Sequence, residues 1–206
     1  MIVFVGNHQI IGTREEQQDS FGVSDFSPGE EIPTTGVFGI LADGMGGHEG
    51  GAQASSIAVK AALEVFLKFT DKQNGKDLLF DSFKKANAQV KQYAKDLNTE
   101  DNCGTTGIAV LISPKGLHWI SVGDSRIYLL RNKILTCLTQ DHNHALQLWN
   151  DFRAGKSSRE VVQSHPEASH LISYLGGKPK FIDRSLLPMP LENGDRVLLC
   201  SDGLET

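Results

Sequence analysis

Apolar residues divide the chain into strands, then helices, then strands again. Met1–Val5 is a short apolar run, and Ser20–Ser24 (S-F-G-V-S) alternates; both read as strands. Ser27–Thr35, rich in Pro, Gly and Glu, reads as a loop. Val37–Ala42 (V-F-G-I-L-A) is nearly continuous in apolar residues and predicts a buried strand. From Ala54 the period becomes helical: Ala54, Ile57, Ala58, Ala61, Val65 and Phe69 share one face. Asp71–Lys76 breaks that helix. A second amphipathic helix then carries Leu79, Phe83, Ala86, Val90 and Leu97 on its apolar side.

Strand patterns return at Thr105–Ile112 and Leu117–Val122, joined by the turn Ser113-Pro114-Lys115-Gly116. Ile127–Leu130 and Ile134–Leu138 follow, and Arg196–Cys200 is the last strand. Asp141–His170 is polar, His-rich and helical in parts, an excursion from the sheet that extends to about residue 180. With no repeat or linker, the pattern predicts one domain over 1–206, of the α+β class, with helices covering sheets.

Composition narrows the function. The 206 residues are 39% hydrophobic and 22% charged, with a formal net charge of −5. That is globular chemistry, and it argues against general nucleic-acid binding or charge-driven attachment to anionic membranes. Met1–Ile11 lacks a basic leader and is too short to span a bilayer. Cys103, Cys137 and Cys200 are far apart and each lies in an apolar run, so they read as small core residues of a cytoplasmic protein.

Three apolar strands end in an aspartate beside glycine: Ala42-Asp43-Gly44, Gly123-Asp124 and Ser201-Asp202-Gly203. Any one of them is an ordinary turn. If the strands lie side by side, however, the three carboxylates converge and repel unless a cation neutralises them. Oxygen donors without thiolate suit Mg²⁺ or Mn²⁺. Gly44, Gly46 and Gly47 let the backbone approach such an ion or a phosphate. Arg14 stands just ahead of Glu15-Glu16-Gln17-Gln18-Asp19, and a guanidinium is a bidentate phosphate clamp or, equally, a solvated loop residue. There is no G-x-x-x-x-G-K-[ST], which excludes a P-loop, and His48-Glu49 is not part of an H-E-x-x-H, which argues against a zincin.

The ordered set R-E-E-Q-Q-D-S (14–20), D-G-M-G-G-H (43–48), C-G-T-T-G (103–107), G-D-S-R (123–126), L-T-Q-D-H (138–142), Y-L-G-G (174–177) and S-D-G-L (201–204) resembles the bacterial-type metal-dependent Ser/Thr protein phosphatases of the protein phosphatase 2C family. The resemblance implies a four-layer α-β-β-α sandwich of two mainly antiparallel sheets. It implies hydrolysis of phosphoserine and phosphothreonine in proteins by a metal-activated water, at a site of two or three Mn²⁺ or Mg²⁺ ions, without a phosphoenzyme. Asp43, Gly44, Asp124, Asp202 and Asp19 then match metal-site positions, and Arg14 matches the phosphate-binding arginine. His48 is the candidate proton donor, because Met45 occupies the position of the general-acid histidine of animal members. Gln18 replaces a Glu found in many members.

The segment from Asp141 resembles the flap beside the family's active site. Implied partners are phosphoprotein substrates and a cognate Ser/Thr kinase, with the chain a monomer. The family pattern continues past S-D-G-L to a further aspartate ligand and a closing strand, so C-terminal elements are expected to be missing from a chain that stops at Thr206. That expectation motivates a second reading, a catalytically impaired pseudophosphatase that binds phosphoproteins or partners.

Overall fold

The computed structural model describes residues 1–46, 49–99 and 102–204. The larger of two sheets joins β1 (Asp19–Val23), β2 (Val37–Met45), β4 (Gly107–Ser113), β5 (Gly116–Val122) and β8 (Asp183–Arg184) in that order, with β3 (Gly104–Thr105) pairing the end of β2. The smaller sheet has the order β7 (Ile134–Cys137), β6 (Arg126–Arg131), β9 (Arg196–Cys200). Every pairing is antiparallel, which makes the class α+β as expected.

The alternation of side chains along each strand builds two cores. Phe38, Ile40 and Ala42 of β2, Ala109 and Leu111 of β4, and Ile120 and Val122 of β5 point to one face. There they meet α1 (Glu49–Phe66) and α2 (Gly75–Asp96), whose apolar stripes include Ala54, Ala58, Ala61, Leu79, Phe83 and Val90. Phe38 and Phe66 stack there at 5.4 Å between ring centroids. The intervening residues, Leu41, Ile108, Val110, Leu117 and Trp119, face the other way and pack on Ile127, Val197 and Leu199 of the small sheet. Near-continuous apolar runs in β2, β4 and β5 therefore arise because both faces of the large sheet are covered. Ile134, Leu135 and Leu198 of the small sheet are exposed.

Three readings of local structure are revised. Met1–Val5 does not form a strand: Ile2 makes an isolated bridge to Glu31 and Phe4 is 78% exposed, so the run lacks a sheet to join. The first helix starts at Glu49 rather than Ala54, because glycines 50 and 51 enter it without apolar signal. Cys103 and Cys200 are buried as expected, whereas Cys137 is exposed on β7. The excursion contains α3 (His144–Arg153) and α4 (Arg159–Ser164), each capped at its N-terminus by a side chain, Asn143 and Ser158 respectively. Among the described residues no helix is long and apolar enough to cross a membrane.

Candidate metal centre

Strand direction decides where the acidic residues meet. β2, β5 and β9 all run toward one edge of the stacked sheets, where β1 and β6 begin. Asp43 lies on β2 two residues after Leu41 and so faces the small sheet. Asp19 is its direct antiparallel partner on β1. Asp124 follows the end of β5, and Asp202 opens a 3₁₀ turn, Asp202–Leu204, just after β9.

Asp19, Asp202 and Asp124 all act on Asp43. Asp43 is pushed up to about 8, mainly by burial, then by the charges of Asp19 and Asp202, a hydrogen bond shared with the Asp19 carboxylate, and the charge of Asp124. Burial, together with Asp202 and Asp141, pushes Asp124 up to about 6, against the lowering pull of Arg126. One pKa unit corresponds to about 1.4 kcal/mol, so keeping Asp43 ionised in this setting costs several kcal/mol without a positive charge nearby. An array of hard oxygen donors whose charges oppose one another fits divalent cations of the Mg²⁺ and Mn²⁺ class.

The surrounding residues fix these groups. The Asp43 backbone is held three ways: its N–H donates to Thr106 Oγ1 at 3.0 Å, and its carbonyl accepts from Thr106 N and Thr105 Oγ1, both at 2.8 Å. Thr106 Oγ1 in turn bonds Ser125 Oγ at 2.7 Å, which ties β2 to the loop carrying Asp124. Ser201 Oγ donates to Asp19 Oδ2 at 2.8 Å, joining the end of β9 to β1. A Cβ on Gly44 would drive into the backbone carbonyls of Gly51 and Gln18, so glycine here permits the start of α1 to lie against β2. Ser55, fully buried on α1, donates to Gln18 O at 2.6 Å and fixes the same approach.

The excursion is fastened beside Asp124. His142 N donates to Gly123 O at 2.9 Å, and Gly123 N donates back to His142 Nδ1 at 3.1 Å. Arg126 forms a two-pronged ion pair with Asp141, Nε to Oδ1 at 2.8 Å and Nη2 to Oδ2 at 2.7 Å. Burial pulls the His142 imidazole below its ordinary value, which keeps Nδ1 available as an acceptor.

The structure thus brings Asp19, Asp43, Asp124 and Asp202 together, with Gly44 adjoining Asp43. Arg14 is exposed in the segment before β1, and its guanidinium makes no hydrogen bond or ion pair among the described residues. His48 lies outside the described residues. Sequence reasoning assigned no role to Thr105, Thr106, Ser125, Ser201, Arg126 or Asp141, although all six fall inside the motifs C-G-T-T-G, G-D-S-R, L-T-Q-D-H and S-D-G-L. Their presence there, next to the acidic positions, was the available signal.

Comparison with known proteins agrees with this geometry. A family model described as Protein phosphatase 2C matches residues 10–206. The chain is 31% identical over 194 residues to the serine/threonine phosphatase stp of Listeria monocytogenes, a match that covers 93% of this chain and 73% of that protein. The crystal structure of the Mycobacterium tuberculosis serine/threonine phosphatase PstP/Ppp superposes with a TM-score of 0.71 at 28% identity, over 93% of this chain and 74% of that one. The catalytic domain of PstP in complex with 2 manganese ions superposes with a TM-score of 0.60 at 26% identity, over 90% and 78% of the two chains.

Proposed function

The chain belongs to the protein phosphatase 2C family, and from that premise we propose that it hydrolyses phosphoserine and phosphothreonine in proteins, using Mn²⁺ or Mg²⁺ held by Asp43, Asp19, Asp124 and Asp202. The observation that carries this reading is the convergence of the four carboxyl groups at one sheet edge, with Asp43 raised to about 8 and Asp124 to about 6. Bound there, divalent cations supply Lewis-acid chemistry, generating a nucleophile from water and neutralising the phosphoryl oxygens.

The protein's own residues prepare that chemistry. Thr105 and Thr106 hold the Asp43 backbone so that its carboxylate does not reorganise when charge develops. Ser201 orients Asp19 by its hydrogen bond. Gly44, whose missing side chain lets the start of α1 pack on β2, offers a carbonyl beside Asp43 as a further oxygen donor. Arg14, exposed and without a side-chain partner among the described residues, binds the phosphoryl group of the incoming phosphoresidue and orients it. The excursion of residues 141–180, anchored at Gly123 and Arg126, forms the wall against which the substrate polypeptide lies. The proposed setting is cytoplasmic, and a Ser/Thr kinase supplies the substrate.

The test is hydrolysis of p-nitrophenyl phosphate and of a phosphothreonine peptide with Mn²⁺, with Mg²⁺ and in EDTA. Turnover that requires the cation and is lost in Asp43→Asn is the expected result. Full activity in EDTA overturns the reading, and cation binding without turnover replaces it with a phosphoprotein-binding role.

A further inference from the structure

The polar, His-rich stretch Asp141–His170 holds a second group of donors that the carboxylate cluster does not use. His144 opens α3, and His165 follows α4. Backbone bonds fold the turn after α4 against the start of α3: His144 N donates to His170 O at 2.8 Å and Ala145 N to Ala168 O at 2.9 Å. As a result a ring nitrogen of His144, a ring nitrogen of His165 and a carboxylate oxygen of Glu167 all lie within 4.8 Å of one another. The two imidazoles meet edge to face, with ring centroids 4.7 Å apart.

We propose that His144, His165 and Glu167 form a site for a zinc-class divalent cation that clips the start of α3 to the turn after α4. Two imidazoles and one carboxylate are a donor set that zinc accepts readily, with the fourth position left to water, whereas Mg²⁺ prefers oxygen donors. Zinc–ligand bonds of 2.0–2.1 Å in tetrahedral geometry put donor atoms about 3.4 Å apart. Side-chain rotation closes the present 4.8 Å spread to that value, because Glu167 is exposed and both histidines are half-buried.

Two local features bear on the fit. Glu167 N–H donates to His165 Nδ1 at 3.3 Å, a long contact. A cation on Nδ1 replaces it; a cation on Nε2 moves the ring proton to Nδ1 and breaks it. Glu167 is exposed, so water then takes the amide. The N-terminus of α3 disfavours a cation at His144, and the negative charge of Glu167 offsets this. Since Asp141 and His142 already fasten one end of the excursion, the cation fixes the two helices that follow.

Zinc is titrated calorimetrically into the whole chain carrying Asp43→Asn and Asp202→Asn, which leaves only Asp19 and Asp124 of the carboxylate cluster. One equivalent is expected to bind, and adding His144→Ala and His165→Ala should weaken it by about 100-fold or more. The same subtraction is made in the unaltered chain under excess Mg²⁺, where His165→Ala alone should lose one Zn²⁺ equivalent while far-UV circular dichroism is unchanged. Zn²⁺ should also slow trypsin at Arg153, Lys156 and Arg159 in the unaltered chain but not in His165→Ala. Equal zinc stoichiometry with and without the histidines, or equal trypsin protection in both, overturns the proposal.

Discussion

Asp19 and Asp43 are direct partners across the β1–β2 ladder, and their carboxyl groups share a hydrogen bond. Opposed residues of an antiparallel pair present their side chains on the same face at close range, so Asp43, buried and facing Asp19, holds on to its proton when no cation is present. Ser201, at the end of β9, donates to the same Asp19 carboxylate. The relationship spans both sheets and makes the carboxylate cluster sensitive to pH.

Asp43 and Asp124 bind protons in the folded state at a pH where the unfolded chain has released them. Their folded values, about 8 and about 6, lie above the ordinary 3.8. Their contribution to stability is therefore complete below about pH 4 and is lost as pH rises through 6 and then 8. In EDTA the melting temperature should fall between pH 5 and pH 8.5, and Mn²⁺ or Mg²⁺ should raise it more at pH 8 than at pH 5. Thermal denaturation across this range checks both signs. An Asp43→Asn chain should show a shallower fall, which separates this cause from other titrating groups.

Asp43→Asn should have opposite effects on stability and on activity. It removes the carboxylate that suffers most from burial and from Asp19, Asp202 and Asp124, so the cation-free protein should melt at a higher temperature. It also removes a central oxygen anion, and the loss of several kcal/mol of charge stabilisation corresponds to at least ~100-fold in phosphatase turnover. Parallel melts in EDTA and initial rates with Mn²⁺ measure the two effects. A lower melting point in EDTA would contradict the electrostatic account of the cluster.

Much of this was legible in the chain. Val37–Ala42 announced a buried strand and Arg196–Cys200 a closing one, whose outer face is exposed, and the aspartates that end the strands marked the edge where they meet. What the pattern concealed depends on tertiary partners. β8 is two residues long, Asp183–Arg184, and exists because β5 offers it an edge. Met1–Val5 has the right composition for a strand but no ladder to join. Arg126 and Asp141 are 15 residues apart and become an ion pair only because the chain folds back across Gly123. Ser201 and Asp19 are 182 residues apart, and their bond follows from sheet stacking that no local period encodes.

Gly44→Ala tests the close approach of α1 to β2. The added methyl meets backbone carbonyls of Gly51 and Gln18, which cannot rotate away as a side chain would. Overpacking against rigid neighbours costs about 1–3 kcal/mol, and the upper half of that range is expected here. Urea unfolding should show a lower midpoint with an unchanged slope. Turnover should fall as well, because the shift displaces Asp43, one residue away.

Arg126 and Asp141 connect the excursion to the Asp124 loop by paired hydrogen bonds, with side chains about three-quarters buried or somewhat less. A double-mutant cycle with Arg126→Met and Asp141→Leu should return a coupling of ~1 kcal/mol or somewhat more. Arg126→Met alone should raise Asp124 further, since the guanidinium is the charge that lowers it. The cation dependence of activity should then move to higher pH. Activity measured against Mn²⁺ concentration at several pH values reads this shift, and its absence in Arg126→Met would disconnect the ion pair from the cluster.

Arg14→Ala separates substrate binding from folding. Arg14 is exposed and its side chain has no partner among the described residues, so its removal should change the melting temperature by less than the equivalent of ~0.5 kcal/mol. A guanidinium that clamps a phosphoryl group contributes charge-assisted hydrogen bonds of about 1.5–3 kcal/mol each, so kcat/KM for a phosphothreonine peptide should fall about 10- to 100-fold. Arg14→Lys keeps the charge but loses the two-pronged geometry, and should recover only part of the loss. If the contact forms with the bound phosphate before the transition state, KM rises while kcat holds; if it tightens as charge develops, kcat falls instead. An unchanged kcat/KM in Arg14→Ala would leave the phosphate to the cations held by Asp43 and its neighbours alone.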